Sequence, residues 1–331
     1  MILLDALYIN SGGGKVLLDY LIKKIVEKKL DFYFLLDNRI KEKHVFHTKN
    51  FIYLKPTFFN RHLFYFKNKN KFSSVFAFGN IPPTLRLSCK VYTYLQNVHY
   101  VDNSLHSLSF FLKKFIFNVL VKNSDYFLVQ SVLVKNQLSK KINKNKIFVY
   151  PFFESRHSCE KRKINKNKIN FIYVSSGEKY KNHVNLLKAF QKYNLKFPSS
   201  ILTLTISKKY KDLFKIITNL KNNNVNIKNL ENISHNKIFN EYKKADVMIF
   251  PSNNESFGLG LIEAAQMNMP IITSNKDYVF QIVKPSATFN AKNHLSIYEI
   301  MNNHDLYIKN PAQSVVLNRI DEMLDFISNK S

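Results

Sequence analysis

Residues 245–283 read ADVMIFPSNNESFGLGLIEAAQMNMPIITSNKDYVFQIV, and their pattern indicates the class of fold. The apolar run at 247–250 predicts a short buried strand of a parallel sheet. A helix is predicted after Gly258 and ends before Pro270, and residues 271–274 predict the next strand. The loop between the first strand and the helix then lies at the carboxyl edge of the sheet, where open α/β sheets bind ligands.

Two carboxylates, Glu255 and Glu263, are fixed within this unit. Glycines let a ligand approach the backbone closely, and the free N–H groups at the start of the helix suit a phosphate. From the helix, Glu263 could accept both hydroxyls of a ribose, while Glu255 on the loop faces whatever the phosphate carries. A sugar nucleotide combines these three chemical groups. The donor-binding residues predicted here are Glu263, Ser256, Phe257, Gly258, Leu259 and Gly260.

Four segments of the stretch carry a family resemblance: Pro251-Ser252, Glu255-Ser256-Phe257-Gly258, Glu263-Ala264 and Pro270-Ile271-Ile272. Together they resemble the donor-site signature of retaining glycosyltransferases of the GT-B fold, family four (glycosyl transferases group 1). The resemblance implies an α/β protein with two Rossmann-like domains facing across a cleft. It also implies that the first glutamate meets the donor sugar and the second the nucleotide ribose. An ordinary βαβ unit with two solvated glutamates is the alternative.

The length of 331 residues suits two domains. We expect an N-terminal, acceptor-side Rossmann-like domain at 1–153, a charged linker at 154–170 and a donor-binding Rossmann-like domain at 171–310. An amphipathic pattern at 311–327 predicts a C-terminal helix, and the resemblance implies that the segment 311–331 crosses back to the N-terminal domain.

The composition is strongly basic, with 50 Lys and Arg against 23 Asp and Glu and a formal net charge of +27. This charge favours an anionic partner, either nucleic acid or an acidic membrane surface. AT-rich codon bias is a competing explanation, because the chain is rich in Lys, Asn, Ile and Phe and has no Trp. Cys89 and Cys159 make neither a metal spacing nor a disulfide framework. Without a secretory signal or a long apolar run, we expect a cytoplasmic protein.

Two stretches, 58–67 and 108–122, are aromatic and basic together. Either could lie on a membrane surface, with its apolar face in the lipid boundary and its lysines over anionic headgroups. For 108–122, a helix packed on its own sheet with a solvated basic face is favoured, because apolar residues cover most of its circumference. Membrane contact by some part of this domain, at the cytoplasmic face of the inner membrane, is nevertheless expected.

Further candidates lie at the ends of other predicted strands. A glycine loop, Gly12, Gly13 and Gly14, can hold a phosphate on backbone N–H groups. In the family that the chain resembles, this loop faces the cleft, and His99, with Asn97 beside it, stands where an Asn or His often reaches the donor sugar. Lys181 with Asn182 matches the family's diphosphate-binding lysine. The arginine usual in that family is absent, and Lys179 or the pair Ser175-Ser176 would have to replace it.

These predictions describe a retaining glycosyltransferase that moves a sugar from a nucleotide donor, UDP- or GDP-linked, to a glycan or lipid-linked acceptor of bacterial surface polysaccharide (lipopolysaccharide or capsule). Glu255 and His99 are the candidate catalytic residues, Glu255 by positioning the donor. The leaving diphosphate is the expected base, and neither a cofactor nor a metal is expected. The alternatives are a basic nucleic-acid-binding protein, for which the sequence has no recognition motif, and a sugar-nucleotide epimerase of the same fold.

Overall fold

The computed structural model describes residues 1–43, 50–101, 108–156, 164–165 and 167–329, without the side chains of 42–43 and 108–110. Asp102, Asn103, Cys159 and part of the predicted linker lie outside the described residues. The chain divides into two compact units, which we call the first unit (Met1–Glu154 with Leu317–Ser331) and the second unit (Ser155–Val316). Each unit is an α/β structure built on a parallel sheet.

The strands in the described part of the chain are β1 (Ile2–Ala6), β2 (Phe32–Asp37), β3 (Phe51–Leu54), β4 (Ser74–Ala77), β5 (Lys90–Leu95), β6 (Tyr126–Val129), β7 (Ile147–Val149), β8 (Asn170–Tyr173), β9 (Ile201–Leu204), β10 (Ile227–Asn229), β11 (Val247–Phe250), β12 (Ile271–Ser274), β13 (Val283–Lys284), β14 (Ala287–Phe289) and β15 (Gln313–Ser314). The first unit has the strand order β3-β2-β1-β4-β5-β6-β7, and the second has β10-β9-β8-β11-β12-β14. All pairings in both sheets are parallel. The predicted pair of Rossmann-like domains is therefore confirmed.

The helices in the described residues are α1 (Gly12–Glu27), α2 (Phe58–Lys67), α3 (Leu108–Leu120), α4 (Val132–Leu138), α5 (His183–Lys196), α6 (Lys211–Asn222), α7 (His235–Lys244), α8 (Leu259–Gln266), α9 (Asp277–Phe280), α10 (His294–Asn302) and α11 (Ile320–Asn329). Each sheet is buried on both sides, which is why the strands read as continuous apolar runs rather than alternating ones. None of these helices is long and apolar enough to cross a membrane.

Strand β5 shows which helices share a face of the first sheet. Val91 packs in one core cluster with Phe64 and Tyr65 of α2, and Leu95 packs in another with Phe117 of α3. Because side chains alternate along a strand, residues four apart point to the same face. Helices α2 and α3 are therefore neighbours in one layer over the same face of the sheet.

Helix α11 covers the opposite face of the same sheet. The ring of Phe326 lies 5.7 Å from the rings of Tyr92 and Tyr126 and 4.6 Å from that of Phe148. Tyr92 follows Val91 on β5 and so points away from α2 and α3. Arg319 also donates its backbone N–H to the carbonyl of Pro151 at 2.8 Å. The C-terminal helix thus completes the core of the N-terminal unit.

The start of that helix differs from the prediction. A helix over 311–327 is wrong in its first part, because Gln313–Ser314 forms a short antiparallel pair with β13 and the helix begins only at Ile320. The side chain of Asn318 donates to the carbonyl of Phe153 at 2.7 Å and to the Tyr20 hydroxyl at 3.0 Å, which fixes the chain just before the helix. The apolar residues Val315 and Leu317, which extended the amphipathic pattern, are exposed.

A buried ion pair holds α2 against the sheet. Arg61 donates from Nε to Asp5 Oδ2 on β1 at 2.7 Å, and both side chains are 1% exposed. The terminal nitrogens of Arg61 donate to the carbonyls of Pro82 and Ile81 at 2.8 Å, and the Tyr65 hydroxyl donates to Asp5. Although burial opposes the charge, Asp5 raises the pKa of Arg61. Reading 58–67 as a single basic, aromatic surface is therefore wrong for Arg61.

Candidate functional site

The loop between β11 and α8 is built around Gly258, as the sequence predicts. Gly258 precedes the first residue of α8 with φ +62°, a left-handed conformation that favours glycine. A Cβ here would lie 3.2 Å from methyl groups of Ile282 and Leu261. The backbone N–H groups of Leu259 and Gly260 open the helix, at the carboxyl end of a strand that lies inside the sheet. This end of α8 provides donors and the positive end of a helix dipole for an anion.

Hydrogen bonds from two neighbouring segments hold the start of the loop. The carbonyl of Ser252 accepts from the hydroxyls of Ser274 at 2.7 Å and Tyr278 at 2.9 Å. The N–H of Asn253 donates to the carbonyl of Tyr180 at 2.8 Å. The loop is thereby tied to the end of β12 and to the turn after β8, so Glu255 projects from a fixed backbone.

Lys181 and Glu255, two of the predicted site residues, form an ion pair. The Lys181 ammonium lies 2.6 and 2.8 Å from the two carboxylate oxygens of Glu255, and little of either side chain is exposed. The pair leaves a third ammonium donor on Lys181. Burial, and to a lesser extent the Glu255 charge, raises the pKa of Tyr173 and Tyr278, so both phenols stay protonated donors beside the pair.

Asn182 has a structural position beside this pair. It adopts φ +61°, immediately before α5, and its side-chain amide donates to the carbonyls of Pro251 at 3.2 Å and Ala291 at 2.7 Å. The residue therefore ties the Lys181 turn to the start of the Glu255 loop. Its amide nitrogen serves the backbone here, so the part of Asn182 in donor binding stays a prediction.

Glu263 is buried on α8 and is held by two residues of α7. The Glu263 Oε1 atom lies 2.6 Å from His235 Nε2, and the Tyr242 hydroxyl donates to Oε2 at 3.1 Å. Each carboxylate oxygen has a second lone-pair direction for a further donor. Sequence reasoning missed His235 as a site residue. The sequence does contain a pattern that could have identified it: His235 stands at the start of the helix that precedes β11. It lies seven residues before Tyr242 and therefore on the same side of that helix.

The segment Ser175–Glu178, where the family's arginine is missing, carries a carboxylate instead. Glu178 accepts hydrogen bonds from the hydroxyls of Ser176 and Tyr210. Burial opposes ionisation of Glu178, but these two bonds, together with a backbone hydrogen bond and the charge of Lys181, lower its pKa. The Tyr210 ring lies over Gly177, where a Cβ would come within 2.5 Å of the ring. Ser176 is therefore engaged with Glu178, whereas Lys179 is exposed.

The candidates of the first unit lie at the carboxyl ends of its strands. Gly12, Gly13 and Gly14 form the first turn of α1 and not a loop before it, which corrects the sequence-based assignment. A Cβ on Gly14 would lie 2.9 Å from the Gln96 side-chain oxygen at the end of β5, so the turn and that loop approach closely. His99 lies in a short 3-10 turn, Val98–Tyr100, and its backbone N–H donates to Asn97 Oδ1 at 2.9 Å.

The structure thus gathers the predicted donor residues of the second unit into two groups. One contains Lys181, Asn182 and Glu255, and the other joins Glu263 to His235 and Tyr242 across α7 and α8. Ser256, Phe257, Leu259 and Gly260 lie between them along the chain. His99 and the three glycines belong to the first unit. Within the described residues, no cluster of three or more His, Cys, Asp or Glu could hold a metal ion.

His183, next to this site, gives a pH prediction. Its Nε2 donates to the Ser176 carbonyl at 2.9 Å, and burial lowers its pKa from 6.5 to about 4. The unfolded chain therefore takes up this proton first as the pH falls. We expect neutral His183 to make its full contribution to the free energy of unfolding above pH 6.5. The free energy of unfolding should then decrease by roughly 3 kcal/mol as the pH falls to about 4.

The measurement is urea unfolding from pH 7.5 to 4, compared between the wild type and His183→Gln. The variant should lack this part of the pH dependence, because glutamine does not titrate. His294→Gln, at the start of α10 in the same unit, is the matched control and should keep the wild-type slope. Parallel pH curves for His183→Gln and the wild type would contradict the assignment.

Comparisons with known proteins agree with this architecture. The solved structure of WaaG, a glycosyltransferase involved in lipopolysaccharide biosynthesis, gives a TM-score of 0.73 at 11% identity and covers 99% of this chain and 100% of that one. HepE of Anabaena, in complex with UDP and glucose, gives 0.70 at 12% identity, with 98% and 95% covered. At these identities the likeness shows the fold, so the chain is a two-domain α/β protein of the GT-B fold.

Sequence comparison finds a similarity that spans the second unit. The model of the family described as Glycosyl transferases group 1 matches residues 155–318. An uncharacterized 41.2 kDa protein in the cps region of Klebsiella pneumoniae is 26% identical over 292 residues, which cover 82% of this chain and 71% of that protein.

Proposed function

We propose that the protein is a retaining glycosyltransferase that transfers a sugar from a nucleotide-sugar donor, UDP- or GDP-linked, to a glycan or lipid-linked acceptor. The observation that carries the proposal is the arrangement around α8. An ion pair between Lys181 and Glu255, the helix start at Gly258 and the buried carboxylate of Glu263 follow one another at the carboxyl edge of the parallel sheet. Phosphate, sugar and ribose each have a chemically matched group there.

The diphosphate would take the N–H groups of Leu259 and Gly260 and the third donor of Lys181. Negative charge grows on the departing nucleoside diphosphate during transfer, so these donors stabilise the transition state more than the ground state. Glu178 does not fit the role of the absent arginine, because it is anionic. Lys179, which is exposed in the same turn, is the remaining cation in Ser175–Lys181.

Glu263 would accept the two ribose hydroxyls on its second lone-pair directions. Tyr242 and His235 keep the carboxylate in one rotamer, so the ribose meets a preorganised acceptor. Glu255 would hold hydroxyls of the donor sugar, and His99 is the second proposed catalytic residue. We assign Glu255 a positioning role and the leaving diphosphate the role of base for the acceptor hydroxyl, without a metal or another cofactor.

The acceptor class is proposed from the relatives. One similar protein is described from a cps region, and a structure of the same fold belongs to a glycosyltransferase involved in lipopolysaccharide biosynthesis. We propose that this chain likewise acts on an intermediate of bacterial surface polysaccharide, at the cytoplasmic face of the inner membrane. The formal net charge of +27 supports contact with an anionic surface.

The test is thermal stability of the purified protein with UDP, GDP, ADP or CDP. The matching nucleotide at about 100 Kd should add roughly 2.7 kcal/mol to the free energy of unfolding. Glu263→Ala should abolish the shift, because the ribose loses its acceptor. Glu299→Ala, an exposed glutamate on α10 of the same unit, should keep it. If no nucleotide stabilises the wild type, or if Glu263→Ala responds fully, the proposed donor site is wrong.

A further inference from the structure

The outward face of α2 is apolar, although it faces solvent. Phe59 is 71% and Phe66 62% exposed, and Phe58 and Leu63 are exposed beside them. Phe59, Leu63 and Phe66 follow the spacing i, i+4, i+7 and so form one stripe along the helix. A helix that only borders water would place polar residues there. An exposed apolar stripe of this kind is typical of a surface that binds a partner.

The buried ion pair between Arg61 and Asp5 fixes the orientation of α2 about its own axis. Arg61 and Tyr65 both donate to Asp5, and the two terminal nitrogens of Arg61 donate to the carbonyls of Ile81 and Pro82. Rotating α2 to bury the phenylalanines would expose Arg61 and leave Asp5 as an unpaired buried charge, which is costly. The fold therefore stabilises the position in which the aromatic rings point outward.

Helix α3 continues the same surface. Phe111 is 67% exposed, and Leu112, Phe115 and Val119 are exposed with it, while Phe117 and Leu120 face the sheet. The predicted packing of 108–122 on its own sheet is confirmed, and Lys113 is exposed, but the rest of the exposed side of α3 is largely apolar and not basic. Because α2 and α3 lie in one layer, their outward faces are on the same side of the first unit. We call these exposed apolar residues of α2 and α3 the aromatic surface.

The segment between the two helices connects them directly. Arg61 of α2 donates to the carbonyls of Ile81 and Pro82, Asn123 just after α3 donates to the carbonyl of Pro83 at 2.9 Å, and Arg86 donates to the carbonyl of Lys122. The residues 81–86 thus bind both helices through their backbone and side chains. The two helices that form the aromatic surface are therefore connected by hydrogen bonds through the segment 81–86.

The charged side chains of the segments that form the aromatic surface are all positive. Residues 50–101 and 108–124 contain no Asp or Glu. Exposed lysines accompany both helices: Lys55, Lys67 and Lys69 around α2, and Lys113 and Lys122 in and after α3. Aromatic rings that insert at the headgroup boundary, together with lysines over anionic headgroups, are the combination that binds an acidic bilayer.

We propose that the aromatic surface docks the first unit on an anionic phospholipid bilayer. The exposed lysines of these segments favour lipid over a second copy of this chain, because two such surfaces would repel each other. The inference rests on the proposed function, because docking on a membrane would bring the enzyme to a lipid-linked acceptor. It deepens that function by naming the residues that enter the lipid.

The absence of tryptophan makes a direct probe possible. Phe59→Trp and Phe111→Trp each introduce a single indole into the aromatic surface. Leu195→Trp, at an 81% exposed position of α5 in the second unit, is the matched control. With vesicles of phosphatidylcholine containing about 30% phosphatidylglycerol, the first two should shift their emission to shorter wavelength, and the control should not. The effect should weaken as salt is added, because the lysine contribution is screened.

Sedimentation with the same vesicles tests the energetics. Phe59→Ser/Phe66→Ser and Phe111→Ser/Phe115→Ser should each lower partitioning at least about tenfold. Leu195→Ser/Leu306→Ser, at exposed sites of the second unit, should leave it unchanged. Lys67→Gln/Lys69→Gln should weaken binding to anionic vesicles only. Because the substituted side chains are exposed, the variants should keep the wild-type Tm. The Tm of each variant is measured before the vesicle experiments.

Several results would overturn the inference. Absence of vesicle binding, or binding that the serine variants leave intact, would remove its basis. A dimer in sedimentation velocity that the phenylalanine variants dissociate, without vesicle binding, would assign the surface to a second copy. Nucleotide stabilisation is measured in the same preparations. Vesicle binding without nucleotide stabilisation would count against the donor site and not against the membrane contact. Nucleotide stabilisation without vesicle binding would count against the membrane contact and not against the donor site.

Discussion

Arg61→Ala should destabilise the first unit by about 3–5 kcal/mol, because it leaves Asp5 charged, buried and without its counter-ion. The cost is large because the arginine also satisfies the carbonyls of Ile81 and Pro82. Urea unfolding, followed by far-UV circular dichroism, measures the change in the free energy of unfolding. Because the chain forms two units, the transition that moves identifies the unit affected.

Two comparisons sharpen this experiment. Arg86→Ala removes an arginine of the same unit that pairs with Asp125 at the surface, and it should cost less than about 1 kcal/mol. Asp5→Ala/Arg61→Ala should cost less than the sum of the single variants, because neither charge is then left alone. A loss below about 1 kcal/mol for Arg61→Ala would mean that the pair does not hold α2 in place.

Glu255→Gln should lower the transfer rate at least about 100-fold, because the amide keeps the size of the side chain but removes the charge that aligns the donor sugar. Nucleotide binding should survive, since the proposed ribose contact at Glu263 is untouched and the Lys181 ammonium is released from Glu255 and can reach the proposed phosphate position. The measurement pairs single-turnover transfer, with the donor identified by the stability experiment, with nucleotide thermal shifts.

The control for this prediction is Glu299→Gln, which changes an exposed glutamate of α10 in the same unit and should leave both quantities unchanged. A Glu255→Gln variant with a transfer rate within about threefold of the wild type would exclude the positioning role. Loss of nucleotide binding together with the rate would indicate that Glu255 acts mainly by placing Lys181.

The elements around the candidate site could be predicted because local signals and tertiary structure agree there. The strand at Val247–Phe250 and the strand at Ile271–Ser274 match the predicted bounds, since strands buried on both faces read as uninterrupted apolar runs. Gly258 marked the helix start because a left-handed residue favours glycine. The spacing of Glu255 and Glu263 along the unit then followed from the chain itself.

Contacts between distant residues could not be predicted in the same way. Arg61 lies in an aromatic and basic segment, and only its partner Asp5, 56 residues earlier, turns it inward. His235 meets Glu263 because α7 and α8 pack side by side, although 28 residues separate them. The glycines at 12–14 suggested a loop because glycine weakens helices, yet they form the first turn of α1, and a Cβ on Gly14 would lie 2.9 Å from the Gln96 side-chain oxygen.

Helix α11 has a consequence for the order in which the protein is made. The sheet of the first unit is encoded before residue 150, but Phe326, which covers Tyr92, Tyr126 and Phe148, lies near the other end of the sequence. At about 5–20 residues per second, a ribosome needs roughly ten to thirty seconds to translate the intervening segment. During that interval the nascent sheet exposes an aromatic face. The N-terminal unit begins to fold first and is completed last, and a chaperone that shields aromatic surface has its target in that interval.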